Sequence, residues 1–206
     1  MKESRKLIEL IEALTILPGI GKKSAQRMAY QLIRSDKKMV LNLSKKLEDI
    51  TTQISNCKIC GIYLDLNDVL EQTNDECLSC VRENRDKSKI CVTESPSDVY
   101  VINNSTDYNG YYFVLEGNLS PIDGRGPREI GIEKLEKRLK SNCVSELILA
   151  TNTTVEGEAT AHYIHQMAIN LNIKISRIAF GIPLNGELGY LDSETISHAF
   201  NERKTI

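Results

Sequence analysis

The sequence contains no long apolar stretch, since its longest uninterrupted apolar run covers only residues 111–115. A helix that crosses a bilayer needs roughly 18 apolar residues in a row, so we expect no transmembrane segment. The charged first residues lack the apolar segment and cleavage site of an export signal, so we expect a cytoplasmic protein. With 41% hydrophobic and 26% charged residues, the composition excludes disordered, collagen-like and coiled-coil chains.

The net charge of −2 conceals an uneven distribution of charged residues. Residues 1–56 hold 11 Lys and Arg against 6 Asp and Glu, whereas the remaining 150 residues hold 15 against 22. A basic first quarter on an acidic body is typical of a local contact with a polyanion. On charge alone, a solvated helical surface is the favoured alternative.

Cysteine spacing gives the strongest local signal. Four of the six cysteines form two CxxC pairs separated by 16 residues: Cys57 and Cys60, Cys77 and Cys80. This spacing lies in the range of four-thiolate zinc sites and predicts one structural Zn²⁺ per chain. Two disulfides and a redox CxxC pair are the alternatives. Cys91 and Cys143 lie in or beside apolar segments, so we expect them to be small buried hydrophobes.

Hydrophobic periodicity predicts helices before about residue 90 and alternating strands and helices after it. Three helices are expected: one that Ser4 caps and that stops at residues 17–21, a second that follows this turn, and a third over about residues 39–54. Their inward positions are Leu7, Leu10, Ile11 and Leu14, then Ala25, Met28, Ala29, Leu32 and Ile33, then Val40, Leu43, Leu47 and Ile50. Strands are expected near residues 90–92, 111–115, 147–150 and 175–180, with helices between them. This alternation predicts βαβ units and a mostly parallel sheet in a multidomain α/β chain.

Residues 17–25, LPGIGKKSA, join the first two helices and resemble the helix-hairpin-helix DNA-binding motif. Gly19 and Gly21 are expected to let the chain turn, so that the second helix offers N–H groups to a phosphate. Lys22 and Lys23 lie at that positive helix end, with Arg27 one turn further along. Such contacts are made with the nucleic-acid backbone, which predicts sequence-independent binding. An ordinary glycine-rich turn in a helical bundle is the alternative.

Residues 91–96, CVTESP, and 150–160, ATNTTVEGEAT, resemble a Toprim domain, the catalytic fold of topoisomerases and primases. The resemblance implies that Glu94 corresponds to a Mg²⁺-binding Glu. Asn152 and Thr154 occupy the positions of an Asp-x-Asp pair. Because Mg²⁺ prefers anionic oxygen ligands, we expect a retained fold without metal chemistry. We also expect Glu94, Glu156 and Glu158 to form a self-repelling acidic cluster that binds a basic partner protein.

Together with YFVLEGNLSPIDGRGP and RIAFGIPLNGELGYLD, these segments resemble, in order, the RecR family of bacterial recombination mediators. The resemblance implies a non-enzymatic, nucleoid-associated DNA-binding protein of recombinational repair. It implies action with RecO, and in many bacteria RecF, in loading recombinase onto single-stranded DNA coated by single-strand-binding protein. It also implies a homotetramer ring that encloses single- or double-stranded DNA.

The resemblance suggests four regions. They are a helix-hairpin-helix region at residues 1–56, a four-cysteine zinc finger at 57–80, a Toprim domain at 88–183 and an assembly segment at 184–206. Residues 63–74 look like an insertion relative to the family. Two other functions remain open: a Toprim-type metal-dependent nuclease or topoisomerase-like enzyme, and a zinc-stabilised adaptor that binds only protein.

Overall fold

The computed structural model describes residues 4–66, 76–81, 84–141 and 144–203. The chain divides into two compact units, and the boundary follows Ile54. The first unit contains α1 (Arg5–Leu14), α2 (Lys22–Arg34) and α3 (Lys37–Gln53). No helix in the described ranges has the length and hydropathy of a membrane span.

The remaining elements follow in chain order from β1, which begins at the unit boundary. They are β1 (Ile54–Asn56), β2 (Tyr63–Asp65), α4 (Leu78–Val81), β3 (Asp86–Thr93), α5 (Pro96–Ser105), β4 (Gly110–Val114), α6 (Ile132–Ser141), β5 (Glu146–Ala150), α7 (Val155–Ala168), β6 (Lys174–Arg177) and α8 (Ser193–Asn201). Strands β1 and β2 pair with each other, whereas β3 to β6 form a separate four-stranded sheet.

In the first unit, α1 and α2 pack through small and half-buried side chains. Ala25 and Ala29 of α2 are fully buried, which lets the two helices approach closely. The predicted stripe of α1 is its less exposed face: Leu7, Leu10, Ile11 and Leu14. However, the prediction of inward side chains is wrong for five positions, which are exposed: Met28, Ile33, Leu43, Leu47 and Ile50. Periodicity identifies an apolar face, but within the described residues of this unit little covers these side chains.

The four-stranded sheet is parallel and has the order β4-β3-β5-β6. Each strand is joined to the next by a helix, which confirms the predicted βαβ organisation. β4 and β5 lie on opposite sides of β3, so the connections that leave the carboxyl ends of β3 and β4 run in opposite directions across the sheet. The strand order therefore reverses beside β3. Ligand sites of open α/β sheets form at this kind of switch point. Glu94 follows β3 directly and therefore lies at that edge.

The sheet is covered on both faces, because successive side chains of a strand point to opposite sides. One face packs against α6 and α7 through Ile90, Val92, Tyr111, Phe113, Leu147, Leu149, Leu135 and Ile164. The other face packs against α5 and the cysteine pairs through Cys91, Tyr112, Val114, Ala150 and Val99. The segment that carries the two cysteine pairs, which we call the cysteine module (Cys57 and Cys60 with β2, and Cys77 and Cys80 with α4), is therefore part of the hydrophobic core of the second unit.

The C-terminal segment after β6 forms little core of its own. Asp192 caps α8 by accepting hydrogen bonds from the backbone N–H and the hydroxyl of Thr195, at 2.8 and 2.7 Å. No residue of α8 is buried. Leu184 and Tyr190 are 96% and 87% exposed, so this segment presents large apolar side chains to solvent.

Candidate functional site

The turn between α1 and α2 depends on one glycine in a left-handed conformation. Gly19 has φ +78°, a value that residues with a Cβ rarely adopt. Gly21 instead has extended backbone, with φ −82°, and occupies the N-cap of α2. The expectation that both glycines supply the turn is therefore corrected, since only Gly19 needs the conformational freedom. Having no side chain, Gly21 leaves the N–H groups of the first turn without a side-chain cap.

Three cationic side chains surround this helix end. Lys22, Lys23 and Arg27 are all exposed, and the first turn of α2 contains no acidic residue. No carboxylate in the described part of the chain pairs with any of the three. Lys23 and Arg27 are four residues apart and share a helix face. Their charges add to the positive end of the helix dipole, which favours an anionic ligand.

The two CxxC pairs converge although 16 residues separate them. The four Sγ atoms lie within 4.8 Å of one another: Cys57, Cys60, Cys77 and Cys80. The Sγ···Sγ distances are 3.9 Å between Cys57 and Cys80 and 3.5 Å between Cys60 and Cys77. Zinc–sulfur bonds of about 2.3 Å in a tetrahedron place the sulfur atoms about 3.8 Å apart. The four thiols therefore fit one tetrahedral metal ion.

Backbone contacts hold the first cysteine pair against the edge of β4. Gly61 has φ +82°, and a Cβ there would lie 3.1 Å from both Cβ and O of Val114. The carbonyl of Cys60 accepts the Val114 N–H at 2.7 Å. Nη1 of Arg138 in α6 donates to the carbonyls of Ile59 and Tyr112, at 2.9 and 3.0 Å. Gly61 thus combines a left-handed backbone with close packing against Val114, which favours a residue without a Cβ.

Ionisation of the four thiols is interdependent. Hydrogen bonding with Cys60 lowers the pKa of the Cys57 thiol, and hydrogen bonding with Cys57 raises the pKa of the Cys60 and Cys80 thiols. The pKa of the Cys77 thiol is lowered as well, so the neighbouring thiols favour ionisation of two of the four and oppose ionisation of the other two. A bound cation would compensate the charge of all four. Burial raises the pKa of the Cys91 thiol to about 12. Cys91 is a buried apolar side chain, as expected, whereas Cys143 lies outside the described residues.

Glu94 is buried and fully hydrogen-bonded. Only 7% of its surface is exposed. Its Oε1 accepts the backbone N–H of Asn152 at 2.9 Å, and its Oε2 accepts the Nδ2 groups of Asn152 and Asn118, at 2.9 and 3.3 Å. Thr154 accepts the Gly157 N–H at 3.1 Å and so caps α7. Both residues at the Asp-x-Asp positions therefore serve the local structure.

The other two candidate carboxylates lie in the first turn of α7. Glu156 and Glu158 are exposed, and Glu158 forms an ion pair with Arg177. The argument that the three carboxylates repel one another does not apply to Glu94 or Glu158, because each has donors of its own. Glu94 also offers little surface to a partner. Of the three, Glu156 and Glu158 are accessible.

Comparisons with known proteins agree with these features. Family models for the Toprim domain, for "RecR, helix-hairpin-helix" and for "RecR, C-terminal" match residues 88–179, 7–51 and 181–204. The chain is 47% identical over 204 residues to Recombination protein RecR of Methylococcus capsulatus, covering 99% of both chains. It is 48% identical to that of Hahella chejuensis, over 95% and 94% of the two chains. For Xanthomonas campestris pv. campestris, the identity is 43% over 98% and 99%. The chain belongs to the RecR family.

The predicted family and fold class are thereby confirmed: a helix-hairpin-helix bundle, a four-cysteine cluster consistent with a zinc finger, and a Toprim domain with a parallel sheet. Several residues of this RecR-family chain that hold the sites had no local sequence signal. Arg138 reaches the first cysteine pair from a distant helix, and Asn118 completes the bonding of Glu94. Gly157 allows α7 to begin close to Asn152. Only the appearance of Gly157 inside a helical segment could have singled out one of them.

Proposed function

We propose that this chain is a non-enzymatic, DNA-binding recombination mediator. In this role it acts with RecO, and with RecF where RecF is present, to load recombinase onto single-stranded DNA coated by single-strand-binding protein. The observation that carries the proposal is the exposed cationic group at the amino end of α2, with which no carboxylate among the described residues pairs: Lys22, Lys23 and Arg27. The proposed role places the protein in the cytoplasm with the nucleoid.

Replacement of these three residues by alanine should weaken binding to both single- and double-stranded DNA. For each kind of DNA, the loss of affinity should be the same on unrelated base sequences. For every phosphate that the variant no longer binds, the slope of log affinity against log salt should fall by about 0.7–0.9. Fluorescence anisotropy titrations at several salt concentrations measure both quantities. The melting temperature should stay nearly unchanged because all three side chains are exposed.

A control variant with the same loss of charge is available in the same unit. Arg5 and Lys6 pair with Glu9, and Lys37 lies at the start of α3. Arg5→Ala/Lys6→Ala/Lys37→Ala should retain most of the DNA affinity. If Lys22→Ala/Lys23→Ala/Arg27→Ala binds DNA as tightly as the parent chain at physiological salt, the hairpin does not bind the DNA.

We further propose that Cys57, Cys60, Cys77 and Cys80 bind one structural Zn²⁺ as thiolates. The Sγ distances, 3.5–3.9 Å for the two closest pairs, support a closed tetrahedral site. Four protein ligands leave no open coordination position, so the ion would organise the fold and activate no water.

The proposal that the chain is not an enzyme rests on the carboxyl edge of the parallel sheet, where Glu94, Asn152 and Thr154 lie. Two of the three carboxylates expected of a Mg²⁺-dependent enzyme of this fold are replaced by Asn152 and Thr154. Their side chains instead bond Glu94 and cap α7. A Toprim-type nuclease would need a different ligand set, and a zinc-stabilised adaptor would show no DNA binding.

Charge reversal at Glu156→Lys/Glu158→Lys should weaken binding of RecO, because both side chains are exposed at the amino end of α7. Glu156→Lys and Glu158→Lys are therefore also measured singly, and the matched control for each is Glu133→Lys, also in the first turn of its helix and exposed. Titration of labelled RecO measures the effect, and a nicking assay in Mg²⁺ and Mn²⁺ accompanies it. Equal RecO affinity in all variants contradicts the docking proposal, and metal-dependent cleavage by the parent chain contradicts the non-enzymatic one.

Assembly into a homotetramer ring is also part of the proposal, with residues 184–206 in the assembly region. Large apolar side chains are exposed on the first unit at Ile16, Met39 and Leu41, and on the C-terminal segment at Leu184, Tyr190 and Phe200. A second copy of the chain is the partner proposed to cover them, since exposed apolar patches commonly mark protein interfaces. Several hairpins in one ring would bind DNA with high avidity even if each binds weakly.

A further inference from the structure

A large groove in the second unit borders the cysteine site and Glu94, but most of its lining residues have no role in the functions above. It lies between the first cysteine pair, the carboxyl ends of β3 and β4, and α6, and has a volume of about 1130 Å³. We call it the lysine groove and define it by Lys58, Tyr63, Pro96, Leu115, Lys134 and Lys137. We infer that the lysine groove binds a single strand of nucleic acid, with phosphates on the lysines and bases over the apolar floor.

The lysine groove is positively charged, whereas the second unit around it has a negative net charge. Residues 57–206 hold 15 Lys and Arg against 22 Asp and Glu. The groove is lined by four cationic side chains and two acidic ones, Glu94 and Glu116. Glu94 is directed to its asparagine donors, and Glu116 pairs with Lys134 at 2.7 Å. Lys137 is exposed, and none of the described carboxylates pairs with it. A local positive groove on an acidic body favours a polyanion.

The shape and floor of the groove suit unstacked bases. Pro96, which is half-buried, and Tyr63, which is 54% exposed, contribute the accessible apolar surface, and the buried side chains of Val114 and Leu115 lie beneath it. Single-strand binding sites combine a cationic track for the backbone with aromatic faces on which bases stack. A duplex keeps its bases stacked inside and cannot place them on this floor.

An acidic peptide is the other polyanion to consider, and the groove edge disfavours it. An extended peptide gains affinity by adding to the free edge of a strand. On β4, however, the Val114 N–H already donates to Cys60, and the Tyr112 carbonyl already accepts from Arg138. Main-chain pairing is therefore blocked where a peptide would lie, whereas side-chain contacts to phosphates remain available.

The test uses the full chain with a labelled oligothymidine and a labelled duplex of the same length. Lys134→Ala/Lys137→Ala should weaken oligothymidine binding about tenfold and lower its salt slope by about 1.4, since each of the two lysines contributes about 0.7. Duplex binding should be unchanged. The control is Lys87→Ala/Lys140→Ala, which removes the same charge from two lysines that do not line the groove. Lys140 pairs with Glu136 as Lys134 pairs with Glu116, and Lys87 is exposed as Lys137 is.

The inference is independent of the hairpin proposal, because the groove belongs to the second unit and the hairpin to the first. The same groove variant is therefore also measured with Lys22→Ala/Lys23→Ala/Arg27→Ala, where the loss of oligothymidine binding should persist. Equal affinities of the groove and control variants overturn the inference, and so does an equal loss for duplex. Lysine-dependent binding of oligoglutamate without such binding of oligothymidine would assign the groove to an acidic peptide instead.

Discussion

Removal of zinc is expected to unfold the cysteine module and to lower the melting temperature of the second unit. Structural zinc sites in small modules contribute apparent binding free energies of about 10–16 kcal/mol near pH 7. The module contains only the short elements β2 and α4 in its described part, and its cysteines supply much of its buried surface. Without the ion, several buried thiols also lose the charge compensation that their ionised form requires.

Elemental analysis should find one zinc per chain, and a strong chelator should lower the melting temperature recorded by circular dichroism. Each Cys→Ser change at the four positions should reproduce the loss. Cys91→Ala is the matched control, because Cys91 is buried in the same core without belonging to the four-thiol group. A chain purified without zinc, or four serine variants with parental melting curves, would show that the cysteines serve another purpose.

Gly157→Ala is expected to destabilise the Toprim domain by about 3 kcal/mol, at the upper end for overpacking. The added Cβ would lie 2.1 Å from the Asn152 carbonyl oxygen and 2.8 Å from Oε1 of Glu94. Neither neighbour can move freely, since Asn152 bonds to Glu94 through two donors and Thr154 caps the same helix turn. For a chain of this length, the melting temperature should fall by about 6–12 °C.

Gly181→Ala provides the comparison for this change, because no atom lies within 4 Å of its added Cβ. Thermal melts of the two variants and the parent chain, followed by far-ultraviolet circular dichroism, measure the difference. Equal melting temperatures for the two glycine variants would mean that α7 and the loop before it can shift apart without cost.

The regular strands and helices were predictable from the sequence, because their residues follow a periodic apolar pattern. The apolar run Ile90, Cys91 and Val92 predicted a strand, and the structure has β3 there, with both of its faces buried. The cysteine pairs were predictable because their ligand chemistry depends on residue type and spacing alone. Arg138 was not, since its two carbonyl acceptors belong to β4 and to a cysteine loop 79 residues away. Such contacts form only when distant elements pack together.

Asn152 shows a different limit of sequence reasoning. Asn152 occupies the position of a metal-binding Asp in the Toprim pattern, which suggested that a metal ligand is lost. The pattern does not say what the Asn side chain does instead. In the structure its amide and backbone N–H groups bond both oxygens of Glu94, so the substitution stabilises a buried carboxylate. Likewise, periodicity predicted for α3 an apolar face at Leu43, Leu47 and Ile50, but the partner that covers such a face lies outside the sequence pattern.

The contacts that fix the first cysteine pair to β4 also bear on aggregation. β4 is an edge strand of the sheet and contains most of the longest apolar run of the chain. An exposed apolar edge strand is a template for pairing between molecules. The Cys60 carbonyl and the Arg138 guanidinium occupy hydrogen-bonding groups of this edge, at Val114 and Tyr112. If the four cysteines bind zinc as proposed, loss of the ion would release the Cys60 carbonyl from the Val114 N–H and open part of this edge to intermolecular β-pairing. We therefore expect a shortage of zinc to lower the solubility of the protein as well as its stability.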